Sequence, residues 1–285
     1  MAPVAVVTDT CHYLPGAMVE ANDVHVVSLY VHWSGGEDRE SDLPDYDSYY
    51  ESLRTASELP TTSQPSIGDF LAVWEPLLDD GREIVSVHLA AGLSGTCESA
   101  LQARGQLGER AERVHVVDSA TACGGLGMIV LAACAAARSG SDGAAVAERV
   151  RAARERLKMW FCIDTLEYLR RGGRIGSAQA WLGSALRIKP ILTVESEITP
   201  IERVRTQGRA FERMVDYLRA RHEDGADGWV VQHIQAPEPA ERLVERGREI
   251  FGSEPLFVSE VGPVIGTHVG PGLIGVGGLP SSCLA

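Results

Sequence analysis

Along the first half of the chain, short apolar runs alternate with longer amphipathic ones. Residues 4–8, 24–30, 83–89 and 113–118 have the brevity and apolar density of strands. In GREIVSVHL the apolar positions Ile84, Val85, Val87 and Leu89 give a half-buried to buried pattern. Between these runs, residues 45–57, 67–78, 97–107 and 124–138 read as helices. Strand–helix alternation predicts a parallel, Rossmann-like sheet with helices on both faces. Binding loops then belong at the carboxyl ends of the strands, where Asp9-Thr10, Ser94 and Asp118-Ser119 fall. A helix over 144–158 carries the chain into a second α/β unit, with strands at 159–163, 189–194, 228–234, 256–260 and 264–268. The division reads as an N-terminal α/β domain over 1–156 and a C-terminal α/β domain over 157–285.

Glycine, proline and hydroxyl residues interrupt this pattern where chemistry is expected. The segment IGTHVGPGL sets His268 among Gly266, Gly270, Gly272 and Pro271, with Gly262 and Pro263 just before it. That density predicts a tight loop whose backbone approaches something closely. An imidazole there can donate to an anion and change charge near neutral pH. The segment Ala90-Ala91-Gly92-Leu93-Ser94-Gly95-Thr96 lies between a strand and a helix, so backbone N–H groups and a positive helix end can meet a negative ligand. In Thr61-Thr62-Ser63-Gln64-Pro65-Ser66, Pro65 keeps Gln64 out of helix and Ser66 is placed to cap the helix that follows.

Charge narrows the partners. The net charge of −13 argues against nucleic acid and anionic surfaces as broad-area partners. Residues 167–221 nonetheless hold eleven Lys/Arg against six Asp/Glu, an excess of +5 that leaves −18 on the rest. Arg209, Arg213, Arg219 and Arg221 read as a solvated helix face. Arg170, Arg174 and Arg205 sit beside glycines or at strand ends, which makes them candidates for a partner-facing or phosphate-facing surface. The N-terminus lacks a signal-peptide pattern, and the longest apolar run, Met128 to Ala137, is ten residues, short of a bilayer span. Six scattered cysteines without metal-like spacing read as reduced thiols, so a cytoplasmic protein with no metal is expected.

Taken in order, these segments carry a resemblance. Val6-Val7-Thr8-Asp9-Thr10 with Leu14-Pro15, Thr62-Ser63-Gln64-Pro65-Ser66, Leu93-Ser94-Gly95-Thr96 and Val116-Val117-Asp118-Ser119 come first. They are followed by LEYLRRGGRI from Leu166, IKPIL from Ile188 and HVGPG from His268. Together they resemble the DegV family, whose members include the fatty-acid-binding subunits of bacterial fatty acid kinase. Thr10 stands where the family usually has serine, and Cys97 where a larger aromatic is common, which bears on the shape of the pocket mouth. The resemblance implies two α/β domains with a lipid site between them. It implies a long-chain fatty acid as ligand, with no further cofactor, its carboxylate held by Thr62, Ser94 and His268. Ser63, Gly95, Thr96 and Gly270 would form the pocket loops. It further implies a protein without catalysis of its own, which presents the carboxylate to a fatty acid kinase for acyl-phosphate formation and exchanges lipid in transient membrane contact. The residues also admit a serine-dependent lipid-ester hydrolase, with Ser94 as nucleophile, His268 as base and Asp118 or Asp9 as orienting acid. Against this, Thr96 occupies the last glycine position of a G-x-S-x-G elbow.

Overall fold

The computed structural model describes residues 2–33, 35–43, 45–182 and 188–285. The first half runs β1 (Val4–Asp9), α1 (Gly16–Ala21), β2 (Val24–Val27), β3 (Tyr30–Trp33), β4 (Gly36–Arg39), α2 (Asp47–Thr55) and β5 (Thr61–Ser63). It continues through α3 (Ile67–Asp79), β6 (Glu83–His88), α4 (Thr96–Gly105), β7 (Val114–Asp118), α5 (Gly124–Arg138) and α6 (Gly143–Arg156). The second half runs β8 (Lys158–Cys162), α7 (Glu167–Arg171), β9 (Lys189–Glu195), β10 (Glu197–Val204), α8 (Gln207–Glu223), β11 (Gly228–His233) and α9 (Pro237–Phe251). It closes with β12 (Phe257–Glu260), α10 (Pro263–Val269) and β13 (Ile274–Leu279).

The architecture is mixed α/β. A four-stranded sheet in the order β2-β1-β6-β7 is parallel throughout, as the alternation predicts. A six-stranded sheet in the order β10-β9-β8-β13-β11-β12 is antiparallel except for its β11–β12 edge. A small antiparallel sheet, β4-β3-β5, stands beside them. The layers run from α3 and α4, through the parallel sheet, to α5 with α6 beside it, then the mixed sheet, and last α8 and α9. The parallel sheet draws on residues up to Asp118 and the mixed sheet begins at Lys158.

α5 explains how these layers cohere. Every residue from Gly124 to Ala136 is buried, because one side of the helix packs on β1 and β6 and the other on β11 and β13. Small residues let it fit: a Cβ on Gly124 would press on the Gln232 amide at 2.8 Å, and one on Gly127 on the His12 carbonyl at 2.9 Å. Ser66 caps α3 in a full capping box with Asp69, where the serine and its partner satisfy each other's orphan donors.

Two of the runs read as strands fold otherwise, and β10 and β13 are strands that the sequence pattern does not mark. The run over 24–30 is not one strand: β2 ends at Val27, Leu29 turns its N–H to the Thr10 hydroxyl at 3.3 Å, and the chain resumes as β3 in a different sheet. The run over 264–268 is neither strand nor loop but the helix α10. Pro263 starts it, where a missing N–H costs nothing. Gly266 lets it lie against the Tyr50 ring, and Gly270, at φ +76°, ends it. Leu186 and Arg187, which the sequence pattern joins to the strand ahead of Ile188, lie outside the described residues.

Candidate functional site

A cavity of about 930 Å3 of empty space, its open mouth included, lies between the loops of the parallel sheet and the inner face of the mixed sheet. The mixed sheet supplies its floor through Met159 and Phe161 of β8, Val194 of β9, Ile198 of β10 and Gly275 of β13. Leu89 at the end of β6, Ala122 and Cys123 ahead of α5, and Val264 and Val269 of α10 complete the apolar wall. Gln232 also lines it, but its amide is engaged: Oε1 accepts from the Gly124 N–H and Nε2 donates to Ser259 at 2.9 Å.

Polar side chains that bear on an anion gather from three places. Thr62 and Ser63 come from β5, Ser94 from the turn ahead of α4, and His268 from the last turn of α10, with Gln64 and Arg174 beside them. Thr62 Oγ1 lies 2.8 Å from His268 Nε2. Burial, reinforced by the Arg174 guanidinium, pulls the His268 pKa down to about 4, so the ring is neutral at pH 7. A neutral ring has one donor and one acceptor nitrogen. Nε2 is engaged by Thr62, whereas Nδ1 is buried against Gly172 and has no hydrogen-bond partner. Ser94 Oγ lies 2.9 Å from Thr96 Oγ1 and accepts from the Thr96 N–H at 3.3 Å. It therefore stands at the head of α4, where free N–H groups favour an anion. Ser63 shares its hydroxyl with His32 Nε2 at 2.8 Å.

The helix carrying His268 is held from the first half of the chain. Glu40, 2% exposed, accepts through Oε1 from the Val264 N–H at 2.8 Å and from the Tyr13 hydroxyl at 2.9 Å. Its Oε2 is buried without a partner. Burial pushes the Glu40 carboxyl up to about 7. Tyr50 donates to the Val261 carbonyl at 2.6 Å, and Tyr49 shares a 2.6 Å bond with the Thr267 hydroxyl. α10 is thus a short helix whose position depends on side chains more than two hundred residues earlier.

A family model described as "Uncharacterised protein, DegV family" matches residues 3–281. The chain belongs to the DegV family. It is 39% identical over 279 residues to a DegV domain-containing protein of Streptomyces coelicolor, spanning 96% of this chain and 97% of that one. It is similar to the solved structure of DegV, a fatty acid binding protein from Bacillus subtilis, with a TM-score of 0.87 and 33% identity over 97% of this chain and 99% of that one. A DegV family protein from Thermus thermophilus, solved in a study of its fatty acid binding, matches with a TM-score of 0.87 and 33% identity over 98% and 99% of the two chains.

The DegV motifs converge unequally on the cavity. Thr62, Ser63, Ser94 and His268 line it together. Gly95 precedes the first turn of α4, where a Cβ would meet the Gln64 amide at 3.2 Å. Thr96 is buried behind Ser94, and Gly270 turns the chain against the Tyr168 ring. Cys97 directs its thiol to the Leu89 carbonyl at 3.7 Å and lies outside the lining. The arginines separate. Arg174 lines the cavity, donating to the Leu93 carbonyl at 3.3 Å and the Gly172 carbonyl at 2.8 Å. Arg170 is exposed and paired with Glu167 at 2.6 Å, and Arg205 is exposed between β10 and α8. Sequence reasoning did not single out the floor residues, Gly275 among them; the alternation of glycine with Ile274 and Val276 is the signal that marks them.

The hydrolase constellation is not assembled. His268 is bonded to Thr62, not to Ser94. Asp118 accepts from the Ala91 and Ala120 N–H groups at 3.2 and 2.7 Å. Asp9 accepts from the Cys11 and Leu89 N–H groups and meets His88 Nδ1 at 3.0 Å. Among the described residues, no group of three or more His, Cys, Asp or Glu is placed to hold a metal ion, and no helix is long and apolar enough to cross a membrane.

Proposed function

We propose that this chain binds a long-chain fatty acid in the cavity, carboxylate toward Thr62, Ser94 and His268 and acyl chain over the apolar floor. The observation that carries this reading is the cavity's division into a cluster of hydroxyls, a neutral imidazole and a guanidinium, and a long apolar floor. Burying about fourteen methylenes at ~0.8 kcal/mol each contributes on the order of 11 kcal/mol before ordering costs. If His268 Nε2–H donates to Thr62, the Thr62 hydroxyl proton is left free to reach a carboxylate oxygen, and the Ser94 hydroxyl donates to the other. Arg174 supplies the opposite charge. The fatty acid binding of the DegV proteins of Bacillus subtilis and Thermus thermophilus supports the same ligand class.

In this reading the protein performs no chemistry. It presents the carboxylate to a fatty acid kinase in the cytoplasm, with Arg170 and Arg205 on the docking surface and Arg174 beside the developing acyl phosphate. It exchanges lipid during transient contact with a membrane. Native mass spectrometry of the purified chain, followed by extraction, tests the binding: one fatty acid per chain is the expected result. A chain that is empty and takes up no added fatty acid overturns it. Binding that persists while Arg170→Ala and Arg205→Ala leave acyl-phosphate formation by the kinase unchanged overturns the docking assignment alone.

A further inference from the structure

β13 is an interior strand of the mixed sheet, flanked by β8 and β11. Its side chains alternate. Ile274 and Val276 enter the core beneath α8 and α9, so positions 275 and 277 face the opposite side, toward α5 and the cavity. In register, Phe161, Gly275 and Gln232 form one row across the floor, and Met159, Gly277 and Val230 the next. Glycine in a strand interior forfeits side-chain packing and loses more conformational freedom than any other residue. Neither glycine has a positive φ, so the backbone does not demand it. What these positions supply is missing volume.

The two glycines use that volume differently. At Gly277 it is already taken, since a Cβ would overlap the Met159 sulfur and the Lys158 carbonyl. At Gly275 it is open: a Cβ would meet nothing nearer than Phe161 Cβ at 3.5 Å, the Trp160 carbonyl at 3.6 Å and Leu273 at 3.8 Å. Gly275 lines the cavity and Gly277 does not. We infer that Gly275 is a specificity-determining position, and that the size of the side chain there sets how much acyl chain the floor can hold. This rests on the fatty-acid reading above.

The test is native mass spectrometry with saturated fatty acids of graded length, from laurate to stearate, on the delipidated wild type, Gly275→Ala, Gly275→Val and Gly277→Ala. A valine side chain excludes about two methylenes, so Gly275→Val should bind stearate roughly tenfold more weakly while laurate stays within about twofold. Gly275→Ala, which enters at ordinary contact distances, should shift the preference the same way by a smaller amount and keep the wild-type melting temperature. Gly277→Ala, whose Cβ overlaps the Met159 sulfur and the Lys158 carbonyl, should melt earlier than wild type. Equal weakening of every chain length by the Gly275 variants, or no change at any length, overturns the assignment. A wild type that binds none of the acids instead overturns the fatty-acid reading itself.

Discussion

Two histidines with hydroxyl partners, His88 in the parallel sheet and His268 at the cavity, differ in that only the second faces empty space. In the parallel sheet, Asp9 Oδ2 lies 3.0 Å from His88 Nδ1, and His88 Nε2 lies 2.7 Å from Ser86 Oγ. All three side chains are 0% exposed, with the Phe70 ring edge-on to His88 at 5.1 Å. At the cavity, His268 meets Thr62, with Ser94 and Arg174 also on the lining and Nδ1 unpaired. The core array has the Asp–His–Ser order of a hydrolytic relay but no room for a substrate. The cavity array has the room but no carboxylate behind its histidine. Function follows from polar atoms left available beside a void, not from the order of residue types.

The largest expected effect breaks the core array. Asp9→Ala leaves His88 and the Cys11 and Leu89 N–H groups without their acceptor, at a cost of about 3–5 kcal/mol. Thermal denaturation should show Tm lowered by roughly 10 °C; an unchanged Tm would mean the array is not structural. Next comes Glu40, whose folded pKa of about 7 lies above the ordinary carboxyl value. Its contribution to stability is full below the unfolded pKa and disappears as pH rises through 7. Glu40→Gln keeps the acceptor for Val264 and Tyr13 and removes the charge. Urea titrations should find the variant little changed at pH 4 and more stable than wild type at pH 8, by about 3 kcal/mol. Equal stabilities at both pH values would show that the carboxyl is not desolvated as described.

Smaller effects belong to the cavity array. Ser94→Ala should weaken fatty-acid binding about tenfold, the worth of one hydrogen bond to a charged group, with Tm essentially unmoved. A matching loss of Tm would place Ser94 with the core array instead. The smallest effect is a null in the range where histidines usually respond. With its pKa near 4, the His268 ring should show no NMR titration between pH 5.5 and 8. Its contribution has the opposite sign to that of Glu40: full above the unfolded value near 6.5, and lost as pH falls through 4. The two oppose each other over the same window, so Glu40→Gln should also unmask a loss of stability toward acid. An inflection near 6.5 for His268 would remove both expectations.

The parallel sheet was legible in the sequence because its strands are short runs dense in valine and isoleucine and α5 is apolar for ten consecutive residues. β13 was not, since Gly275, Gly277 and Gly278 dilute the strand signal at the positions that make room for the cavity. α10 was misread because its proline and glycines mark a turn locally, while Glu40, Tyr13 and Tyr50 hold it as helix from the far end of the chain. The candidate site was legible only through motif resemblance. No spacing brings Thr62 to His268; that meeting is a product of β5 and α10 packing together. The arginines show the same limit: local pattern grouped Arg174 with Arg170 and Arg205, and only the fold turns it inward.

The burial of α5 on all sides also bears on how the proposed ligand would exchange. Proteins that clamp a guest between lobes open about a hinge, and hinge opening requires an interface that can be parted cheaply. Here one helix belongs to both lobes, and parting them would bare side chains such as Leu126, Met128, Ile129 and Leu131, each worth about 1.5–3 kcal/mol when buried. The buried surface of α5 disfavours clamshell capture. A fatty acid bound as proposed would come and go by local displacement at the mouth, with the lobes kept together by α5.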